Sequence, residues 1–329
     1  MLPSNVGRRA EALLPPGAAF VRRHKAWTDA VFRAVLTAFG FAVVVIVASM
    51  IIQLSMAAWP AIARFGAGFL WTQRWDPVHN VFGAVTFAYG TLASSLVALV
   101  LAVPVSLGVA IYLAELAPPV LSTVLGFIIE LLASIPSVIL GLWGIFVMAP
   151  WLRSVVEPDL RAILGWLPLF SGPAYGIGLL AGGMILAIML LPIVSSISRE
   201  VLKSVPLSQR EAAYALGATR WEVIWRAVLP YGRTGLTGAV ILGLGRALGE
   251  TMAVTMVIGN RPQVSPSLFQ PAYTIAAALA NEFSEATTGI YISALIELAV
   301  VLFVISLIVN AIARWLIWRM GTLPTGGMG

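Results

Sequence analysis

Two ionisable residues lie in the middle of a strongly apolar segment, residues 235–259, and stand four positions apart. Arg246 is about 11 residues into this segment, which at roughly 1.5 Å per residue places it near the centre of a membrane. A lone charge there costs about 2.5–3.5 kcal/mol on insertion scales, so it should face water or a partner. Glu250 follows one helical turn later on the same face, within reach of an ion pair. The pair predicts an anion pathway in which Arg246 meets the substrate and Glu250 holds or releases the arginine.

The same pair could serve helix packing alone, because buried ion pairs can fix an arrangement of helices without binding a ligand. Gly245 and Gly249 form a stripe of small residues beside it, which would let another helix approach closely. Two further acids, Glu130 and Glu297, fall inside other apolar segments. Each either packs as a satisfied acid or lines the pathway, and both interpretations stay open.

A polar stretch, residues 208–230, separates two apolar segments, and its spacing predicts two short helices joined at a glycine. Ser208 stands three residues before Glu211, and Thr219 stands three residues before Glu222. Each pair can form a capping box, in which the hydroxyl accepts from the N3 amide and the carboxylate accepts from the cap amide. A bent lever of this kind, outside the lipid, suggests a part that another protein pushes.

The ends of these two predicted helices are also marked. Gly217 can take the left-handed conformation that ends the first helix, and Pro230 should not continue the second. The stretch resembles the EAA loop of type I ABC importer permeases, and the positions in register are Glu211, Ala212, Ala213, Gly217, Leu229 and Pro230. Ala227 stands where that pattern has isoleucine. The resemblance implies a coupling helix that docks into a groove on a separate ATPase subunit.

The composition requires a membrane around these elements. Of the 329 residues, 60% are hydrophobic and only 10% are charged, whereas a soluble domain carries about 25% charged residues. A helix needs roughly 20 apolar residues to cross the hydrocarbon. Six runs meet this length, at residues 34–59, 84–113, 121–149, 175–197, 235–259 and 290–318, with kinks expected at Pro104 and Pro136. The predicted fold class is therefore an all-α integral membrane protein with six transmembrane helices.

Lysine and arginine are distributed unevenly between the two sides of these helices. If both termini are cytoplasmic, the inner segments carry fourteen basic residues and the outer loops five, which satisfies the positive-inside rule. The resulting segments are a cytoplasmic tail at 1–33, an anchor helix at 34–59, an outer loop at 60–83, a transmembrane domain at 84–318 with its coupling loop at 198–234, and a tail at 319–329. The ends 1–17 and 322–329 are expected to be unstructured. The net charge of +6 then reflects anionic membrane lipid and requires no nucleic acid.

The chain lacks the residues that would bind ATP. A Walker A motif places a lysine directly after glycine, but the only two lysines, Lys25 and Lys203, follow His24 and Leu202. The chain should therefore not be an enzyme, and ATP-Mg would be used by a partner ATPase subunit. The sequence contains no cysteine, and its two histidines are far apart, so no metal or other cofactor is expected on this chain.

Several segments resemble one group within these importers, the PstC-type family of phosphate-uptake permeases. They are residues 243–260 around Arg246 and Glu250, residues 129–144, residues 280–285, and residues 69–77 with Trp75-Asp76-Pro77. The similarity covers residues 69–314. It implies the MetI-like fold of type I ABC importers and a role in phosphate transport for Arg246 and Glu250. It also implies a second homologous permease, two ABC ATPase subunits and an extracytoplasmic phosphate-binding protein in the bacterial cytoplasmic membrane.

Three other functions fit part of this pattern. A permease for another oxyanion, such as molybdate or sulfate, would share the coupling loop but should differ in residues 243–260. A secondary anion transporter would need no ATPase and often contains internal repeats, which are not evident in this sequence. A structural membrane scaffold would not need Arg246 at the centre of the bilayer.

Overall fold

The computed structural model describes residues 18–320. The ends 1–17 and 322–329, for which the sequence predicts no structure, lie outside the described residues. The described α-helices are α1 Ala18–Phe65, α2 Gly68–Trp71, α3 Val85–Ile111, α4 Pro119–Ala133, α5 Ser137–Trp143, α6 Ala149–Trp151, α7 Glu157–Leu164, α8 Leu179–Lys203, α9 Leu207–Ala215, α10 Arg220–Val223, α11 Leu229–Gly249, α12 Met252–Val257, α13 Ile275–Glu282 and α14 Gly289–Met320.

Single π-helical turns and one short 3₁₀ turn complete the described helical structure. The π turns are Tyr112–Leu116, Gly144–Met148, Leu152–Val156 and Ile224–Val228, and the 3₁₀ turn is Pro168–Phe170. Between residues 18 and 320 the only extended pairings are two isolated bridges, Asp76 with Val81 and Gly259 with Ala272. The all-α prediction is confirmed.

Five helical segments of the described chain are long and apolar enough to cross a membrane. They are Trp27–Phe65, Val85–Leu116, Ser137–Leu164, Leu179–Lys203 and Gly289–Arg319. Four of them contain or overlap the predicted crossings at 34–59, 84–113, 175–197 and 290–318, because each is a continuous apolar run. The fifth, Ser137–Leu164, begins inside the predicted crossing at 121–149 and extends beyond its end. The predicted crossings at 121–149 and 235–259 are both interrupted.

Pro136 breaks the predicted crossing at 121–149, where only a kink was expected. The 15-residue helix α4 ends at Ala133, and α5 begins at Ser137 with Pro136 as its cap. Proline lacks an amide and disfavours helical geometry in the residue before it, so the helix restarts after the proline. Pro104, in contrast, is accommodated inside α3.

The chain divides into two compact units, Met1–Met56 and Ala57–Gly329. The described part of the first unit is a helical segment, so residues 18–33 of the predicted tail are helical. Helix α8 is central to the second unit, with 67% of its apolar window buried inside the protein. It packs closely on α3, since a Cβ atom added at Gly183 would lie 2.4 Å from a Val97 methyl group. This packing supports α11, the helix that carries Arg246.

Candidate functional site

Arg246 lies on an exposed face of α11 and lines an open cavity of about 740 Å³. The cavity is otherwise lined by Ile193 of α8, by Gly238, Ile241, Leu242 and Gly245 of α11, and by Asn310, Arg314 and Ile317 of α14. Within the described part of the chain, the Arg246 guanidinium has no hydrogen bond or ion pair. A cation without a partner in a largely apolar cavity can receive an anion from outside the chain.

Glu250 does not pair with Arg246, which contradicts the predicted ion pair. Helix α11 ends at Gly249, and Glu250 has an extended backbone with φ −70° and ψ 126°. It therefore does not continue the face on which Arg246 lies. Glycine is about 1 kcal/mol less favourable than alanine inside a helix, so Gly249 is a weak point at which α11 can end.

The break is stabilised by local side-chain hydrogen bonds. The Thr251 hydroxyl donates to the Gly249 carbonyl at 3.3 Å, and the Thr255 hydroxyl donates to the Thr251 carbonyl at 2.6 Å. Such bonds satisfy carbonyl groups near a helix end. Interrupted backbone at membrane depth is tolerated where it is buried in protein or lines a water-filled cavity. The break after Arg246 is therefore compatible with a position that is buried in protein or lines such a cavity, and the pathway role of Arg246 stays a prediction.

The stripe formed by Gly245 and Gly249 remains open within the described chain. A Cβ atom added at either position would meet no other part of the described structure within 4 Å. The close contact with α8 is made instead by Gly243, where an added Cβ atom would lie 2.9 Å from a Val194 methyl group. The predicted approach of a second helix at Gly245 and Gly249 is thus not made by the described part of this chain.

The bent lever predicted for residues 208–230, which we call the elbow, bends at Gly217 and Thr219. Gly217 has φ +82°, the left-handed conformation expected after the first helix. The Thr219 amide donates to the Glu222 carboxylate at 2.9 Å, and the Glu222 amide donates to the Thr219 hydroxyl, which completes the capping box before α10. These hydrogen bonds from Thr219 to the carboxylate lower the pKa of Glu222 below its usual value. The predicted left-handed Gly217 and the predicted capping box of Thr219 and Glu222 are both confirmed.

The predicted capping box of Ser208 and Glu211 is wrong. Helix α9 begins at Leu207 with Pro206 as its cap residue and without a side-chain cap, so Ser208 lies inside the first turn. The sequence therefore places the start of this helix two residues too late, because it takes Ser208 and not Pro206 as the cap. The proline, whose fixed φ is suited to a helix start, marks the true beginning. Glu211, Ala212 and Ala213 lie within α9.

The prediction that Pro230 ends the second helix is wrong. The chain remains helical from α10 through the π turn Ile224–Val228 into α11, and Pro230 occupies its first turn. The Leu229 amide bonds to the Ile224 carbonyl in the wider π pattern. Leu229 and Pro230 thus belong to the first turn of the helix that carries Arg246, and the second arm of the elbow is continuous with it.

An ion pair that was not predicted holds the elbow against the turn between α3 and α4. Arg210 of α9 donates to the Glu115 carboxylate at 2.8 Å and to the Leu202 carbonyl at 2.8 Å. Arg220 of α10 donates to the Glu115 backbone carbonyl. The sequence contained one signal for this pair, because Glu115 is the sole charge on a turn expected on the same side as the basic coupling loop.

The two further acids do not join the Arg246 cavity. Glu130 lies on an exposed face of α4. Glu297 is 6% exposed, lines a separate apolar cavity of about 560 Å³, and its Oε2 atom has no hydrogen-bond partner among the described residues. A pathway role for either acid stays a prediction.

A second polar cluster joins two loops that the sequence placed on the outer side. The Trp75 indole donates to Oε2 of Glu282 at 2.6 Å, and the Tyr291 hydroxyl donates to the same oxygen at 2.8 Å. Burial raises the pKa of the Glu282 carboxyl above its ordinary value. The segments around Trp75 and Glu282 both belong to the similarity with phosphate permeases, and the structure brings them together.

These features define the class of the protein, a multi-pass membrane permease with an open cationic cavity and a hinged polar elbow. A family model described as "Binding-protein-dependent transport system inner membrane component" matches residues 106–322. The chain is 48% identical over 306 residues to the phosphate transport system permease protein PstC of Mesorhizobium japonicum, covering 92% of this chain and 93% of that protein. It is 46% identical over 296 residues to the PstC protein of Pasteurella multocida, with 89% and 92% covered. The chain therefore belongs to the PstC family of inner-membrane transport permeases.

Solved structures of ABC importers show the same fold. A bacterial importer of the acidic polysaccharide alginate matches with a TM-score of 0.56 at 19% identity, covering 88% of this chain and 98% of that chain. The inward-facing MetNI methionine transporter matches with a TM-score of 0.53 at 19% identity, covering 72% and 95%. The predicted MetI-like permease fold is confirmed.

Proposed function

We propose that this chain is the permease subunit of an ATP-driven importer that moves inorganic phosphate across the bacterial cytoplasmic membrane. Its relatives are phosphate transport system permeases, and this supports the choice of substrate. The structural feature that carries the proposal is the Arg246 guanidinium, which faces an open cavity and has no partner among the described residues. Guanidinium groups present several donors in a planar fork that suits phosphate oxygens.

In this proposal Arg246 binds the anion halfway across the membrane, and no covalent bond changes. Glu250 contacts the arginine when the anion has left, after rotation of the extended backbone at the end of α11. This exchange would release phosphate toward the cytoplasm. A partner carboxylate that returns to the cation prevents a lone charge from remaining in the membrane.

The elbow transmits force from a partner ATPase that binds and hydrolyses ATP-Mg. The coupling residues would be Ser208, Glu211, Ala212, Ala213, Gly217, Thr219, Glu222, Leu229 and Pro230. Arg220 and Arg246 lie on one continuous helical path, which rises roughly 1.5 Å per residue. A displacement of the elbow would therefore move the arginine without an intervening flexible loop.

A complete importer would contain a second homologous permease, two ABC ATPase subunits and an extracytoplasmic phosphate-binding protein. The open face of α11, with Gly245 and Gly249 free of neighbours among the described residues, supports contact with the second permease there. Both termini and the coupling loop 198–234 would lie in the cytoplasm. The loops at 60–83 and 260–289 would face the binding protein.

Uptake measurements test this function directly. The chain would be expressed with its partner subunits in cells that lack their own phosphate importers, and uptake of radioactive phosphate would be followed. We expect uptake that stops on ATP depletion and that persists in excess sulfate or molybdate. Complete competition by either oxyanion, or uptake independent of ATP, would show that the proposed substrate or energy source is wrong.

A further inference from the structure

The cavity that contains Arg246 has a second cationic wall, supplied by α14. Arg314 and Asn310 line the same space of about 740 Å³ from that helix, while Arg246 lines it from α11. Arg314 is one of the fourteen basic residues that the predicted topology assigns to the inner segments. The fold brings it to the same cavity as Arg246 because α11 packs against α14.

Neither guanidinium has a hydrogen bond or ion pair within the described chain, and the residues that line the cavity include no acid. The cavity is largely apolar, and two cations that line it from facing helices repel each other. An anion between them would remove the repulsion and supply the partner that Arg246 requires at membrane depth. The arrangement therefore favours a negatively charged ligand.

Asn310 adds a neutral donor to the same wall. Its Nδ2 atom donates to the Ser306 carbonyl at 2.8 Å, which holds the amide in place and leaves its second hydrogen free. Two guanidinium forks and one amide hydrogen suit a ligand with several acceptor oxygens. A carboxylate offers two oxygens and inorganic phosphate four, so the donor set fits a phosphate-type oxyanion better.

Not every arginine on α14 lines the cavity that contains Arg246. Arg319 is also near the inner end of α14, but its guanidinium lies 5.6 Å from the Trp315 ring centre, and it does not line the cavity. The two arginines share a helix and a charge but differ in position relative to Arg246. Arg319 is therefore a matched control for Arg314.

We propose that Arg314 and Arg246 together bind one phosphate-type oxyanion, with Asn310 as an additional donor. The claim that the transported anion passes through this site rests on the proposed function. If it does, α14 forms part of the pathway together with α11. The oxyanion could be inorganic phosphate or the phosphodiester headgroup of an anionic phospholipid, since both present charged, non-bridging phosphate oxygens.

The test uses the complete importer in lipid nanodiscs of two compositions, phosphatidylcholine alone and phosphatidylcholine with phosphatidylglycerol. Binding of radioactive phosphate and retention of phosphatidylglycerol, measured by native mass spectrometry, are compared for wild type, R246Q, R314Q, R314K and R319Q. We expect R314Q and R246Q each to weaken binding of the oxyanion by about tenfold or more, as for loss of a charge-assisted hydrogen bond. R314K should restore part of the affinity, which also shows that the site is folded, and R319Q should match wild type.

The outcomes separate the source of the anion and the two proposals. If R246Q and R314Q lose phosphate binding in nanodiscs of phosphatidylcholine alone, the ligand of the site is inorganic phosphate. If both variants instead lose bound phosphatidylglycerol, the ligand is a lipid headgroup. Equal behaviour of R314Q and R319Q would overturn the shared site, even if wild type binds phosphate normally. If wild type binds sulfate or molybdate instead, with the same dependence on both arginines, the shared site stands and the proposed phosphate function fails.

Discussion

Nη2 of Arg210 lies 2.8 Å from Oε1 of Glu115, and the two side chains are only 16% and 12% exposed. The residues are 95 positions apart in the chain. Their contact joins the elbow to the π turn Tyr112–Leu116 at the end of α3. A movement of the elbow therefore acts on two membrane helices, α11 through the continuous helix and α3 through the ion pair.

Glu115→Gln should weaken this second connection. The buried guanidinium would lose its charged partner, which costs about 1–3 kcal/mol when a buried group is left poorly satisfied. We expect weaker co-purification of the ATPase subunit and slower phosphate uptake, with the permease still present in the membrane. Glu200→Gln is the matched control, because Glu200 is 68% exposed in its ion pair with Arg199 and such pairs contribute little. Equal effects of the two substitutions would show that the tether has no role in coupling.

Gly217→Ala should disturb the elbow through its backbone alone. Gly217 has φ +82°, and an added Cβ atom would meet no described atom within 4 Å. The left-handed conformation costs a residue with a side chain about 1–2 kcal/mol, so the elbow should lose its shape for part of the time. Co-purification of the ATPase subunit should fall. Gly108→Ala, at another glycine with open space around it, should have no such effect.

Arg246→Gln should reduce phosphate uptake by about tenfold to a hundredfold, the loss expected when a hydrogen bond to a charged ligand is removed. The complex should still assemble, because Arg246 contacts no charged partner in the described structure. Arg246→Lys should retain part of the activity as a point charge. If Arg246→Gln takes up phosphate as fast as R319Q does, Arg246 is not part of the pathway.

Local signals in the sequence predicted local structure well, and the errors have identifiable causes. Gly217 and the Thr219–Glu222 pair depend on a few adjacent residues, so their patterns were sufficient. Pro230 was expected to stop a helix, but the π turn before it changes the hydrogen-bond pattern and lets the helix continue. The break at Glu250 lies in an apolar run whose hydropathy alone gives no sign of it.

Contacts between segments that are distant in the chain could not be predicted from the sequence. The ion pair of Arg210 with Glu115 and the shared cavity of Arg246 and Arg314 each depend on how helices pack in three dimensions. Charge complementarity between two inner segments is consistent with many pairings. Only the packing of α9 beside the end of α3, and of α11 beside α14, selects these.

Glu282→Gln should remove a pH dependence from the outer cluster. Burial raises the pKa of this carboxyl in the folded state, against hydrogen bonds from Tyr291, Trp75 and Tyr273 that lower it. A raised carboxyl pKa means that the folded state holds the proton more tightly, so stability falls as pH rises above the ordinary value of 4.5. Wild type should therefore melt at a lower temperature at pH 8 than at pH 5, and Glu282→Gln should flatten this difference. Glu285→Gln, at an exposed carboxyl nearby, should change the slope only slightly, because the Glu285 charge is a smaller cause of the raised pKa of Glu282 than burial.

Thr219→Ala and Ser208→Ala form a matched pair that tests where the elbow helices begin. The Thr219 hydroxyl accepts from the Glu222 amide, whereas Ser208 lies one residue inside α9 and caps nothing. Loss of a threonine cap costs about 0.5–2 kcal/mol, so the Thr219 variant should unfold locally more often. Hydrogen exchange at the amides of α10 should accelerate in Thr219→Ala, while Ser208→Ala leaves the amides of α9 unchanged. Faster exchange in α9 of the serine variant would support the predicted capping box of Ser208 and Glu211, in which the helix begins at Gln209, two residues after Leu207.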